Sequence, residues 1–307
     1  MTLIVTVNGR ESIWMLADRR LSYRRKPPKD DGRKIMFLDT SDGCAILGYA
    51  GLGATASGIE PSDWMSAVLR GNNLTMEQSL GEIAKAMQEQ LPKHLSGTQR
   101  DALARHITLI PCFVDGEVRL YSIGLLMSTD QLTYSPRFAR HFQNPSADRT
   151  PRTPRIMFTG SGEICLLRNK LWIRDLLHLV NASDSNKVSP LIVADELAKI
   201  NEMVHRNTAD GTVGPHCIVA WRHNKLGVHK GGGDHQFYEG TQRTDDSSIF
   251  ASIAVGLDIQ AMAKAAWPHL MAQLSSLQTG EPEIELDVEK INADIAKIPQ
   301  HPDKNLK

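Results

Sequence analysis

The sequence predicts an α+β fold in which two antiparallel sheets carry helices on their outer faces. Two observations lead there. Short apolar runs alternate as half-buried strands do and are joined by Asn-Gly or Asp-Gly turns. Between them lie longer runs with apolar residues at helical spacing, in the order strands, helices, strands, two helices, strand. The chain has 307 residues, 41% of them hydrophobic, enough for one large domain or two small ones. No internal repeat divides it.

The first strand spans 2–8, with Leu3, Val5 and Val7 on one face. Asn8-Gly9 tolerates the backbone of a tight turn, so the chain doubles back through 12–18. The residue opposite Thr2 then falls between Met15 and Asp18, and Thr2 and Asp18 become neighbours. A basic loop with Pro27-Pro28 leads to strands 34–38 and 44–50, joined at Asp42-Gly43. A helix opens at Thr75 with a capping box to Gln78 and buries Met76, Leu80, Ile83 and Met87. A second hairpin, 107–114 and 117–127, turns at Asp115-Gly116. The Pro-, Ser- and Arg-rich stretch 129–154 has no periodicity and is expected to be an inserted loop. Strand 155–159 passes through Gly160-Ser161-Gly162 into one apolar helix carrying Leu166, Trp172, Ile173, Leu177 and Val180. Ser189-Pro190 caps the next, with Val193, Leu197, Ile200 and Val204 on its stripe. Strand 217–221 follows. Beyond Gly231 the pattern weakens to a glycine run, a polar linker, a helix near 257–275 containing Pro268, and a charged tail. The division expected is a main domain over 1–230 and a partly helical C-terminal extension over 231–307.

Composition narrows function. With 35 Lys+Arg against 35 Asp+Glu the chain lacks the basic excess of a dedicated nucleic-acid binder. The four cysteines, Cys44, Cys112, Cys165 and Cys217, form no CxxC pair and are expected to be reduced thiols of a cytoplasmic protein. No apolar run approaches the ~20 residues that span a bilayer, and Arg10 and Glu11 stand where a signal peptide would be apolar. Neither a membrane nor a nucleic acid is an expected partner. His229 and His235 flank the glycine run, but a metal site would need a third ligand. No metal or cofactor is expected.

Three polar residues lie at strand ends: Thr2, Asp18 and Lys34. By position alone they are ordinary strand punctuation. Thr2 differs because it follows the initiator Met, whose removal would leave one residue with both a hydroxyl and a free α-amine. An α-amine with a pKa of about 7.7–8.0 can take the hydroxyl's proton, so such a residue carries its own base.

These residues, with their equal spacings of sixteen, resemble the proteasome β-subunit family of N-terminal nucleophile (Ntn) hydrolases, which includes a bacterial ring peptidase that works with a heat-shock ATPase. Asp18-Arg19-Arg20-Leu21-Ser22 is similar to the family's D-x-R-x-[ST] context. Gly48-Tyr49-Ala50-Gly51 looks like its glycine-ended strand, and Gly160-Ser161-Gly162 like its G-S-G turn. The likeness covers about residues 2–225 and implies a four-layer αββα Ntn sandwich, a homo-oligomeric ring, a polypeptide substrate and room for an ATPase unfoldase. It also implies roles. Thr2 attacks, Lys34 paired with Asp18 lowers the energy of the alkoxide, and the Gly51 N–H receives the oxyanion. Ser161 bonds near the nucleophile's amine. Leu21, Ser22, Met36, Tyr49 and Gly53 surround the pocket for the residue before the scissile bond. The chain departs from the family at His205-Arg206-Asn207-Thr208-Ala209-Asp210, where the usual carboxylate is replaced by Asn207 and the usual serine by Asp210. An exchange of roles, with Asp210 and Ser161 holding the amine, keeps a threonine peptidase. The alternatives are a catalytically silent assembly subunit and an amidohydrolase of small amides.

Overall fold

The computed structural model describes residues 2–22, 27–51, 53–54, 58–94, 106–127, 132–138, 155–168, 170–208, 211–224, 233–237, 251–279 and 287–298. The chain is mixed α+β, with two sheets. The first contains β1 (Leu3–Asn8), β2 (Ser12–Asp18), β8 (Ile156–Gly160), β9 (Cys217–His223) and β10 (Gly233–Phe237), in the order β10-β9-β2-β1-β8, antiparallel throughout. The second contains β3 (Ile35–Asp39), β4 (Gly43–Ala50), β5 (Ile107–Val114), β6 (Glu117–Met127), β7 (Leu132–Phe138), β11 (Ala251–Ala254) and β12 (Leu257–Asp258), in the order β12-β11-β3-β4-β5-β6-β7. The helices are α1 (Pro61–Leu69), α2 (Met76–His94), α3 (Glu163–Arg168), α4 (Leu171–Asp184), α5 (Pro190–Asn207), α6 (Ile259–Thr279) and α7 (Val288–Ala296).

Alternation along the strands sorts side chains into separate apolar clusters. In β1, Leu3, Val5 and Val7 join Leu166, Trp172, Val193 and Leu197 of the helices α3 to α5, while Ile4 faces the other way. Ile4, Ile13, Met15 and Ala17 of the first sheet meet Ile35, Ile46, Leu109 and Phe113 of the second. On the far side of that sheet, Met36, Leu38, Leu47 and Ile110 pack with Met65 of α1 and Met76, Leu80 and Ile83 of α2.

Several expectations change. The β1–β2 turn takes four residues, closed by the Gly9 N–H to the Ser12 carbonyl at 2.8 Å and capped by Asp184, which accepts from the Arg10 and Glu11 amides. Ile4 therefore pairs with Ala17, and Thr2 lies opposite the chain just beyond Asp18. The apolar helix after Gly162 is two helices, α3 and α4, and within α4 Leu176 takes the fully buried place expected of Leu177. Part of the stretch 129–154 is the edge strand β7, paired with β6. Pro136 sits in it, as an edge position permits. β11 pairs with β3 in parallel, the exception among otherwise antiparallel ladders. The extension over 231–307 thus contributes strands to both sheets: β10 to the first, β11 and β12 to the second.

Candidate active site

The antiparallel ladders bring one end of each sheet together. β1 and β3 start there, and β2, β4 and β8 finish there, so Thr2, Asp18, Lys34, Gly51 and Gly160 meet although up to 158 positions separate them.

Asp18, the last residue of β2, is fully buried. Its Oδ1 accepts from the Leu3 N–H at 2.7 Å, from Lys34 Nζ at 3.0 Å and from the Thr2 hydroxyl; its Oδ2 accepts from the Arg20 N–H at 3.1 Å and the Gly214 N–H at 3.2 Å. A buried carboxylate so surrounded is fixed in place. Lys34 donates to Thr2 Oγ1, to Asp18 Oδ1 and, at 2.7 Å, to the Arg20 carbonyl, which uses all three donors of an ammonium. Burial pulls the Lys34 amine below its ordinary value, and the charge and hydrogen bond of Asp18 oppose that fall. The Thr2 hydroxyl stands between them, accepting from the amine and donating to the carboxylate. Thr2 and Lys34 are each only 3% exposed.

The backbone of Thr2 is held from behind. The Ser161 N–H donates to the Thr2 carbonyl at 2.8 Å and the Ser161 hydroxyl reaches the same oxygen at 3.5 Å. Among these described contacts Ser161 meets the carbonyl of Thr2. Gly160 has φ 107°, and a Cβ there would stand 1.7 Å from the Thr2 carbonyl oxygen, so only glycine permits this approach.

A small cleft opens beside the hydroxyl, lined by Thr2, Arg20, Ser22, Lys34, Tyr49, Gly51 and Gly53. Of the residues singled out for the pocket, Ser22, Tyr49 and Gly53 line it. Leu21 and Met36 do not. Leu21 is buried against Gly32 and Gly53 and bridged to Lys29, and Met36 turns on β3 into the cluster shared with α1 and α2. Arg20 lines the cleft in place of its neighbour Leu21. Its guanidinium holds Asp30 through two hydrogen bonds of 2.7 Å and the Gly211 carbonyl at 2.6 Å. Asp210, His229 and the first two residues of the glycine run lie outside the described residues, and of His235 only the backbone, in β10, is described. Asn207 ends α5 with its amide donating back to the Met203 carbonyl at 2.7 Å. Among the described residues no group of three or more His, Cys, Asp or Glu side chains gathers as a metal site would require, and no helix is long and apolar enough to cross a membrane.

The sequence did not point to His106 or Gly214. His106 precedes β5, and its Nδ1 lies 2.5 Å from the Tyr49 hydroxyl. Gly214 serves through its backbone alone. Only the pairing of β4 with β5, and of β2 with β9, brings them in.

No family model matches the chain, and no curated protein sequence matches it. Among solved structures it is similar to Anbu (ancestral beta-subunit) from Yersinia bercovieri, at 15% identity over 92% of this chain and 100% of that one, with a TM-score of 0.47. It is similar to the Anbu complex of Pseudomonas aeruginosa, solved as a helical assembly, at 14% identity over 92% and 98%, with a TM-score of 0.45. A further similarity is to eukaryotic HslV from Trypanosoma brucei, at 15% identity over 71% and 98%, with a TM-score of 0.35. None of these likenesses assigns a role to a residue of this chain.

Proposed function

We propose that this protein is a threonine peptidase that hydrolyses peptide bonds through an acyl-Thr2 ester. One observation carries the reading: a buried hydroxyl, Thr2, in direct hydrogen-bond contact with both a buried amine, Lys34, and a buried carboxylate, Asp18, at the mouth of a cleft. With Met1 attached, the Thr2 nitrogen is an amide and has no basicity. Removal of Met1 frees an α-amine on the same residue as the hydroxyl. The amine takes the Oγ proton, directly or through one water, while Lys34 steadies the negative charge growing on Oγ.

Oγ then adds to the substrate carbonyl carbon, and the carbonyl oxygen becomes an oxyanion facing the Gly51 N–H. Loss of such a donor typically costs about 10²–10³ in rate. Collapse of the adduct breaks the C–N bond, the departing amine leaves with the proton held by the Thr2 amine, and an ester remains on Oγ. Water, deprotonated by the same amine, adds to that ester and releases the acid, restoring the hydroxyl. No metal or cofactor enters the scheme.

The apolar clusters on both sides of each sheet support the finer architectural reading, a four-layer αββα sandwich, in which the site lies at one end of the two inner layers. The substrate pocket offers an aromatic wall, hydroxyls and glycines. Both cations that line it are committed, Arg20 to Asp30 and Lys34 to Asp18, so uncharged residues before the scissile bond are favoured over Asp or Glu, whose desolvation would find little compensation.

Intact-mass spectrometry tests the proposal. The expected mass lacks Met1 and gains one equivalent of a peptide epoxyketone, and Thr2→Ala takes up none and turns over no peptide. Undiminished hydrolysis by Thr2→Ala refutes the assignment, and a folded wild type that forms no adduct favours a silent assembly subunit.

A further inference from the structure

Beside the cleft lies a buried pair that the reaction scheme does not use. His106 stands one step before β5, and because Ala50 pairs with Ile107, it falls across from Gly51. It is 4% exposed. Its Nδ1 is 2.5 Å from the Tyr49 hydroxyl, with the two ring centroids 6.0 Å apart. A Cβ on Gly51 would stand 2.4 Å from that nitrogen and 2.9 Å from the Tyr49 oxygen, so the pair occupies the space a side chain at 51 would need. Gly51 itself has φ 149°, a conformation that favours glycine. Imidazole, phenol and turn are therefore packed as one unit.

We propose that His106 is a positioning residue that holds the Tyr49 ring as the end wall of the substrate pocket and so restricts the residue before the scissile bond to a small side chain. The inference rests on the Thr2 reading. Tyr49 lines the cleft and His106 does not, so His106 acts through Tyr49. The phenol ring turns about two side-chain torsions, and rotating it away from the cleft breaks the bond to Nδ1. Rotating the imidazole instead breaks the same bond, and the ring is 4% exposed, with little room to turn. Burial lowers the His106 pKa to about 4, so at neutral pH the ring is uncharged and keeps one nitrogen as an acceptor for the phenol. The wall is consequently set by a neutral hydrogen bond across the pH range in which a free α-amine begins to act as a base.

Three variants test this: His106→Leu removes the nitrogen, His106→Asn restores a polar atom near the Nδ1 position, and Tyr49→Phe breaks the same bond from the other side. The first measurement needs no substrate. Carbon relaxation of isotope-labelled tyrosine rings, with the Tyr49 signal assigned by its loss in Tyr49→Phe, reports how rigidly that ring is held. The ring should loosen in His106→Leu and tighten again in His106→Asn. An equally rigid ring in His106→Leu overturns the proposal. The second measurement compares kcat/KM for peptides with Ala or Phe before the scissile bond. The preference for Ala should fall about tenfold in His106→Leu, mainly through KM for the Phe peptide, and return in His106→Asn. Tyr49→Phe should give a similar shift, and the double variant no more than either single one. An unchanged preference at normal turnover overturns it as well. If the wild type forms no epoxyketone adduct and hydrolyses nothing, the Thr2 reading fails, while ring order still decides whether His106 holds Tyr49. If His106→Leu does not fold, Tyr49→Phe supplies the turnover result.

Discussion

Lys34 is pulled two ways. Its three hydrogen bonds suit an ammonium, whereas burial favours the neutral amine, and the proposed mechanism requires the charged form. Turnover is therefore expected to follow a bell. The acid limb reports the α-amine, which must lose its proton to act as a base, and the alkaline limb reports Lys34, below the ordinary lysine value. Stability has the opposite sign on that second limb. Where the unfolded chain still holds the lysine proton and the folded one has released it, rising pH favours the fold. Activity lost while the contribution of Lys34 to stability grows is the expected signature in paired pH–rate and pH–melting curves, and a limb unchanged in Lys34→Arg would assign it elsewhere. Lys34→Ala and Asp18→Asn should each lower kcat by at least about a hundredfold while the protein remains folded, a loss like that of other preorganised electrostatic partners. Equal activity with a lower melting temperature would make them structural. Thr2, Asp18 and Lys34 were legible in the sequence because Thr2 follows Met1 and the equal spacings of sixteen match a family pattern, whereas a place at a strand end alone is ordinary punctuation. His106 was not, since a lone histidine before a strand carries no such spacing and its partner Tyr49 is 57 positions away.

At the scale of elements, the loop from α5 to β9 couples the surface to Asp18. Gly214 gives its N–H to Asp18, its carbonyl accepts from Asn201 at 3.1 Å, and His205 Nδ1 lies 2.8 Å from the Val213 carbonyl. Arg20 closes the arrangement by gripping the Gly211 carbonyl and Asp30 together. Burial pushes the Asp30 carboxyl up, but the hydrogen bonds and charge of Arg20, with His216 and His205, bring it below the usual carboxylate range. A carboxyl lowered by folding contributes stability above its unfolded value, and that contribution disappears as pH falls through the folded value. Asp30→Asn should thus cost about 1–3 kcal/mol at neutral pH, the range for stripping one partner from a charged hydrogen bond. The gap in melting temperature between variant and wild type should close as pH falls below the usual carboxylate range. Turnover should fall with it, because the loop that orders Asp18 is loosened; a gap independent of pH would show that Asp30 acts through something other than its charge. None of this coupling could be read from composition. The strands β7 and β11 escaped for a related reason: β7 is an edge strand containing Pro136, and β11 has four residues, so neither shows enough alternation to stand out before a neighbouring strand pairs with it.

The whole molecule presents two apolar surfaces that its own fold leaves open among the described residues. On α6, Trp267, Leu270, Met271 and Leu274 follow one another at i, i+3, i+4 and i+7, and Trp267 is 54% exposed. On α3 and the start of α4, Ile164, Leu167 and Leu171 are exposed in the same way. The two belong to different parts of the fold: α6 packs beside β11 of the second sheet, while α3 and α4 cover the first. Two distinct sticky faces on one chain suit a head-to-tail contact between copies, the kind that closes a ring or extends a helix, whereas a two-fold dimer needs one face that matches itself. The protein should therefore scatter light as a species many times the mass of a single chain. Trp267→Glu combined with Leu274→Lys should reduce it to a monomer without changing the circular dichroism, and Leu167→Glu combined with Leu171→Lys should do the same. Mixing the two monomers provides the discriminating measurement. Each variant retains the face its counterpart has lost, so a head-to-tail contact allows one intact junction and the mixture should settle as a dimer and go no further. Copies that met through like faces would instead leave a variant paired on its own through the face it keeps, a mixture that stays monomeric overturns the head-to-tail contact, and a wild type that is monomeric at micromolar concentration removes self-assembly altogether.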